Sequence, residues 1–119
     1  MSRIQTLCAS LILIVATLPA CASADSEEGV ASYYADSLAG NPTASGEPYD
    51  PQALTAAHKT LEFGTKVRVT YPKTDKSVEV VINDRGPHVD GRIIDLSRAA
   101  AEAIGLIDDG TGTVVVEIL

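Results

Sequence analysis

Two carboxylates three residues apart, Glu47 and Asp50, fall in the polar stretch Thr43-Ala44-Ser45-Gly46-Glu47-Pro48-Tyr49-Asp50. His58, one of two histidines, ends Ala56-Ala57-His58. Asp84 and Arg85 are adjacent in Ile82-Asn83-Asp84-Arg85-Gly86-Pro87. Asp95 stands between apolar neighbours in Arg92-Ile93-Ile94-Asp95-Leu96-Ser97. Carboxylates that converge can cleave a glycosidic bond. One delivers a proton to the leaving oxygen, and a second steadies the positive transition state or acts as base. An acid at the end of an apolar strand feels burial, which favours its neutral form. A nearby guanidinium favours the charged form, and the residue types leave that balance open.

Each stretch also has a plainer use. Glu47 and Asp50 fit solvated loop positions, and Asp50 fits a cap on the turn after it. His58 fits a structural histidine, and Asp84 with Arg85 fits a turn ion pair. Asp95 fits a buried acceptor for the first amides of the helix that follows it. The same side chains could ligate a metal, but no His-x-x-His or cysteine pair accompanies them. No metal and no other cofactor is expected. Ser45 lacks the nucleophile-elbow setting that a Ser-His-Asp triad would need.

The elements that must hold these residues read as short strands. Val30 to Ala35 is a first strand, and Asp36 to Gly46 is a loop rich in Gly, Asn, Pro, Ser and Thr. Pro51 to Leu54 fits one helical turn with Asp50 as N-cap. Lys66 to Tyr71 alternates, with Val67, Val69 and Tyr71 on one face. Ser77 to Ile82 puts Val78, Val80 and Ile82 together, after a hairpin loop of Pro72 to Lys76. A loop from Asn83 to Gly91 leads to a short strand around Ile93 and Ile94. Ser97 caps a helix over Arg98 to Ile104, Gly105 ends it, and Thr113 to Ile118 is the last strand. Short strands with one inserted helix point to a small closed barrel, mainly β, with one or two short helices.

The N-terminus reads differently. Arg3 precedes an apolar run from Leu7 to Leu18, which ends at Pro19-Ala20-Cys21. That is the layout of a secretory signal peptide over residues 1–20. The run is too short to span a bilayer, which takes roughly 20 residues. Leu18-Pro19-Ala20-Cys21 resembles a bacterial lipobox, so Cys21 is expected to carry lipid and anchor the chain to a membrane. No Asp follows the cysteine, which by resemblance to sorted lipoproteins implies the periplasmic face of the outer membrane. Residues 21–28 read as a lipidated tether and 29–119 as one domain. Removing Arg3 with the signal shifts the net charge from −7 to −8. An acidic surface excludes the phosphate contacts of a nucleic-acid binder.

Taken in order, these stretches resemble the rare lipoprotein A (RlpA) family of bacterial peptidoglycan-acting proteins. The matching segments are residues 29–34, 43–50, 54–58, 63–69, 82–87 and 91–97, so the resemblance runs from Gly29 nearly to Leu119. No stretch is left for the glycan-binding SPOR domain that many members carry, and His88 stands where an aromatic is common. The resemblance implies a six-stranded double-psi β-barrel and a lytic transglycosylase. Such an enzyme cuts the MurNAc–GlcNAc bond of peptidoglycan glycan strands, peptide-free ones by preference, and leaves 1,6-anhydro-MurNAc ends. It implies two catalytic residues, Asp84 as general acid/base and Glu47 as the next candidate. Asp50, His58, Arg85, Asp95 and Tyr34 would orient the sugar or the site. A monomer is expected. Two other functions fit the same residues: an expansin-like module that binds the wall without cutting, and a structural envelope lipoprotein.

Overall fold

The computed structural model describes residues 26–119. The expected signal segment, Cys21 and residues 22–25 of the expected tether lie outside the described residues. Within them run six strands: β1 (Ser26–Tyr33), β2 (Thr55–His58), β3 (Lys66–Tyr71), β4 (Lys76–Asp84), β5 (Arg92–Leu96) and β6 (Gly112–Ile118). One helix, α1 (Arg98–Ile104), joins β5 to β6. The strands close into a barrel in the order β1-β5-β2-β4-β3-β6. Two neighbouring pairs are parallel, β1 with β5 and β2 with β4, and the other four are antiparallel. This is the mainly-β double-psi barrel expected from the sequence.

Period-two alternation builds the interior. Val67 and Val69 of β3, Val80 and Ile82 of β4, Ile94 and Leu96 of β5, and Val114 and Val116 of β6 are all buried there. Each such side chain contributes about 2 kcal/mol when taken from water. Helix α1 covers part of the wall with Ala100, Ala101 and Ile104. Two alanines on that face let its backbone lie close to the strands. The Ser97 hydroxyl accepts the Ala100 amide at 3.2 Å, and Gly105 ends the helix in the left-handed region at φ 77°.

Several elements differ from their sequence reading. Ser26 and the acidic Glu27 and Glu28, expected in a tether, pair with Glu117, Val116 and Val115 of β6. Backbone pairing along an existing edge outweighs their low strand propensity. Strand β2, Thr55-Ala56-Ala57-His58, carried no strand pattern because alanine marks neither face. Pro51 to Leu54 is a turn and not a helical one. The Asp50 carbonyl accepts the Ala53 amide at 3.1 Å and its carboxylate accepts the Gln52 amide at 2.9 Å. Strand β4 continues through Asn83 and Asp84, which the sequence assigned to the loop. The expected loop after β1 contains a turn of 3-10 helix at Asp36–Leu38.

One close approach fixes the β6 edge. A Cβ on Gly112 would lie 2.6 Å from the Tyr71 ring, whose hydroxyl donates to the Asp109 carboxylate at 2.5 Å. A methyl group there must displace a buried, hydrogen-bonded aromatic. Gly112→Ala should therefore lower the unfolding free energy by about 2 kcal/mol in a urea titration, with the slope unchanged.

Candidate active site

Strand register decides which side chains meet. Along β4, Val80 and Ile82 point into the barrel, and unbroken alternation would send Asp84 after them. The parallel register between β2 and β4 slips by one residue here: Ala56 faces Ile82, but Ala57 faces Asp84. The slip turns Asp84 to the outer face of the wall. Ala57 also faces Asp95 of β5, which faces Ser32 of β1. Asp84, Ala57, Asp95 and Ser32 thus form one row across four adjacent strands. Neighbouring strands lie about 4.8 Å apart, so roughly 10 Å separates the backbones of the two aspartates. Ala57 is the row residue between them, and it is itself buried.

Above this row opens a cavity of about 330 Å³, at the small end of ordinary ligand pockets. Asp84, Asp95, Tyr34, Arg85 and Arg92 line it, and the exposed Leu38 and Val89 lie along it. Asp84 is held from three directions. The Ala44 amide and the Arg85 amide each donate to Oδ1 at 2.8 Å, and the Tyr34 hydroxyl donates to Oδ2 at 2.5 Å. The Ala44 contact comes from a loop pinned by Thr43 N to Glu47 O at 2.8 Å and Ser45 N to Asn83 O at 3.2 Å. Tyr34 stacks on Tyr49, with ring centroids 4.4 Å apart, and the Tyr49 hydroxyl accepts the Arg98 amide at 3.0 Å. Burial first, then the bond to Asp84 and the charges of Asp84 and Asp95, push the Tyr34 phenol far above its ordinary value. Tyr34 therefore stays a donor to Asp84 at any physiological pH.

Asp95 is placed by other means. The Ser32 hydroxyl donates to it, and Arg92 Nη2 donates to it at 3.1 Å and also to Ser32. It does not serve the first amides of α1, which is the task of Ser97. Arg85 does not form a turn ion pair with Asp84. Its guanidinium donates to the His58 carbonyl at 3.2 Å and sits 4.3 Å from the centre of the Phe63 ring.

The remaining acids and the histidine lie elsewhere. Glu47 and Asp50 are exposed and line a neighbouring depression with Asn83 and Thr55. Glu47 accepts only long bonds, from Asn83 at 3.4 Å and Ser45 at 3.5 Å. Asn83 precedes Asp84, so the strand end separates the two acids. His58 is buried away from the cavity. Its Nδ1 accepts the Thr60 and Leu61 amides at 3.1 Å, so the proton sits on Nε2, which donates to Glu27 at 3.0 Å. Among the described residues no group of His, Cys, Asp and Glu side chains is arranged to hold a metal ion, and no helix is long and apolar enough to cross a membrane.

The match to known proteins is extensive. A family profile described as lytic transglycolase matches residues 26–117. The chain belongs to the lytic transglycolase family. A Nostoc sp. relative named probable endolytic peptidoglycan transglycosylase RlpA is 52% identical over 94 residues, covering 77% of this chain and 25% of its own length. A Pasteurella multocida relative named endolytic peptidoglycan transglycosylase RlpA is 52% identical over 98 residues, covering 82% and 33%. The chain thus spans a quarter to a third of these relatives' length. Among solved structures, Streptomyces papain inhibitor superposes with a TM-score of 0.64 at 24% identity, covering 79% of this chain and 94% of that one. A mutant Clavibacter michiganensis expansin in complex with cellohexaose superposes at 0.63 and 20% identity, covering 79% and 50%. These two likenesses establish the shared barrel fold alone.

Three contributors to this row and cavity escaped the sequence reading. Arg92 and Ser32 meet Asp95 only because β1 and β5 pair, although Arg92 stood three residues from it in the same motif. Ala57 carries no chemical signal at all. The Tyr34 contact generates a pH effect of defined sign. A phenol whose folded pKa is raised contributes stability that is complete below the unfolded value of 10.0 and is lost as pH climbs past it. Tyr34→Phe should narrow its stability gap to wild type as urea titrations move above pH 10.

Proposed function

We propose that this barrel is a lytic transglycosylase that cleaves the MurNAc–GlcNAc bond of peptide-free peptidoglycan strands and leaves 1,6-anhydro-MurNAc ends. The observation that carries the reading is the Asp84 carboxyl group, fixed by three donors at the wall of a cavity it shares with Asp95. The names of relatives about half identical to this chain support the substrate.

In the proposed reaction Asp84 gives its proton to the bridging oxygen as the bond to the muramic anomeric carbon breaks. The leaving N-acetylglucosamine departs with that proton as a free 4-hydroxyl. The C6 hydroxyl of the same muramic residue then attacks the anomeric carbon and closes the anhydro ring. Its proton returns to Asp84, so water is not consumed and the acid is restored. Tyr34 keeps the carboxyl group oriented throughout. Asp95, held by Arg92 and Ser32, supplies negative charge opposite the developing oxocarbenium ion. Glu47 and Asp50, in the adjoining depression, contact the strand beyond the scissile bond. His58 acts through the turn it braces.

The reading extends to the cell envelope. Leu18-Pro19-Ala20-Cys21 supports export and lipidation at Cys21, which would hold a monomeric barrel at the periplasmic face of the outer membrane. Metabolic labelling with a clickable fatty acid, compared between wild type and Cys21→Ala, tests this; label retained by the variant would refute it.

The decisive measurement is digestion of peptide-free strands followed by mass spectrometry. Asp84→Asn should reduce anhydro products by about a thousandfold, and Glu47→Gln should reduce them less. Equal products from wild type and Asp84→Asn would exclude Asp84 as the acid. Binding of intact strands with no anhydro ends from wild type would favour a wall-binding module.

A further inference from the structure

Arg85 stands apart from the other described arginines. Arg68 pairs with Glu79, Arg92 with Asp95, and Arg98 with both Asp36 and Glu102. Arg85 makes no salt bridge among the described residues, although the chain carries a net charge of −7 and offers many carboxylates. It is nonetheless a placed side chain. The Phe63 ring lies beneath the guanidinium at 4.3 Å, and the His58 carbonyl accepts one of its hydrogens at 3.2 Å. Phe63 itself is 43% exposed, so the stacked pair lies at the surface. This gives buried His58 a task at a distance. Its ring fixes the turn that follows it, and its carbonyl aims Arg85. The cost of ordering a long side chain is thus met before any ligand arrives.

The same residue lines the cavity that holds Asp84 and Asp95. Two carboxylates repel an anionic ligand, and Arg92 is already committed to Asp95. Among the described residues Arg85 makes no ion pair and commits one N–H to the His58 carbonyl, so its guanidinium has others left to offset that repulsion, and its planar fork fits a carboxylate.

We propose that Arg85 is the carboxylate-recognition point of this cavity, and that the group it takes is the free lactyl carboxylate of a muramic residue. The inference rests on the reading of the cavity as a peptidoglycan site. Of the two sugars in such a strand, muramic acid alone carries a carboxyl group, on the ether at its C3. The anomeric carbon proposed to react with Asp84 belongs to that same ring, so adjacent residues would address one sugar. Amide linkage to a peptide removes the charge, so Arg85 would discriminate bare muramic residues from substituted ones.

The test measures binding by calorimetry in an Asp84→Asn background, where strands stay intact. Three probes are used: a peptide-free muramic-containing tetrasaccharide, the same compound with its lactyl carboxyls as methylamides, and the peptide-bearing form. With Arg85 present, the free carboxylate should bind about tenfold tighter than the methylamide. Arg85→Gln should reduce it to the methylamide level, Arg85→Lys should recover part of the difference, and all three proteins should bind the methylamide alike. The proposal is overturned if the preference is absent or survives Arg85→Gln. It is equally overturned if Arg85→Gln weakens the methylamide or the peptide-bearing probe as much, or if no probe binds. The outcome separates from that of the activity. Arg85-dependent preference without anhydro products from wild type sinks only the cleavage reading, whereas anhydro products without the preference sink only this one.

Discussion

A one-residue slip in register between β2 and β4 decides which side of the barrel wall Asp84 occupies. Without it, β4 would carry the carboxylate inward beside Val80 and Ile82, where a charge has no partner and costs several kcal/mol. With it, Asp84 joins a row in which every neighbour is polar or small. The remaining features of the site follow from that turn. Tyr34, just past the end of β1, reaches Asp84 at the end of β4 across the two strands between them, β5 and β2. Asp95 shares the cavity because β2 separates it from Asp84 by one strand.

The support of the row is divided among distant parts of the chain. Asp84 receives hydrogen bonds from residues 34, 44 and 85, and Asp95 from residues 32 and 92. A hydrogen bond to a charged group contributes about 2 kcal/mol, so each acid is held with a sizeable fraction of a small domain's stability. Barrel closure brings these donors together at no further cost, since the strands that carry them must pair in any case. The site is therefore coupled to the fold, and a change that loosens β1 disturbs both acids.

Much of this was legible in the residues. Alternation placed β3 and most of β4, the Ser97 cap and Gly105 bounded α1, and the ordered motifs pointed to the barrel. The strand end at Asp84 was also visible. What could not be read was lateral. Ala56 and Ala57 look alike in sequence, yet one faces the core and the other separates two acids. Asp95 looked like a helix-start acceptor because its partners are 63 and 3 residues away, and only pairing of β1 with β5 joins them. His58 and Glu47 were grouped with Asp84 by type. The strand that carries His58 and the loop that carries Glu47 set them in other hollows. Side-chain chemistry is local, but proximity in a barrel is a property of strand order.

The start of β1 has an architectural consequence. Ser26 pairs with Glu117 at one pole of the barrel, while Tyr33 and Tyr34 reach the cavity region some 23 Å along the strand. The chain therefore enters and leaves the barrel at nearly the same spot, beside the His58 ring that donates to Glu27. Whatever is joined to either end meets the barrel at that one spot, so a pull on one terminus is shared with the other across the β1–β6 pairing.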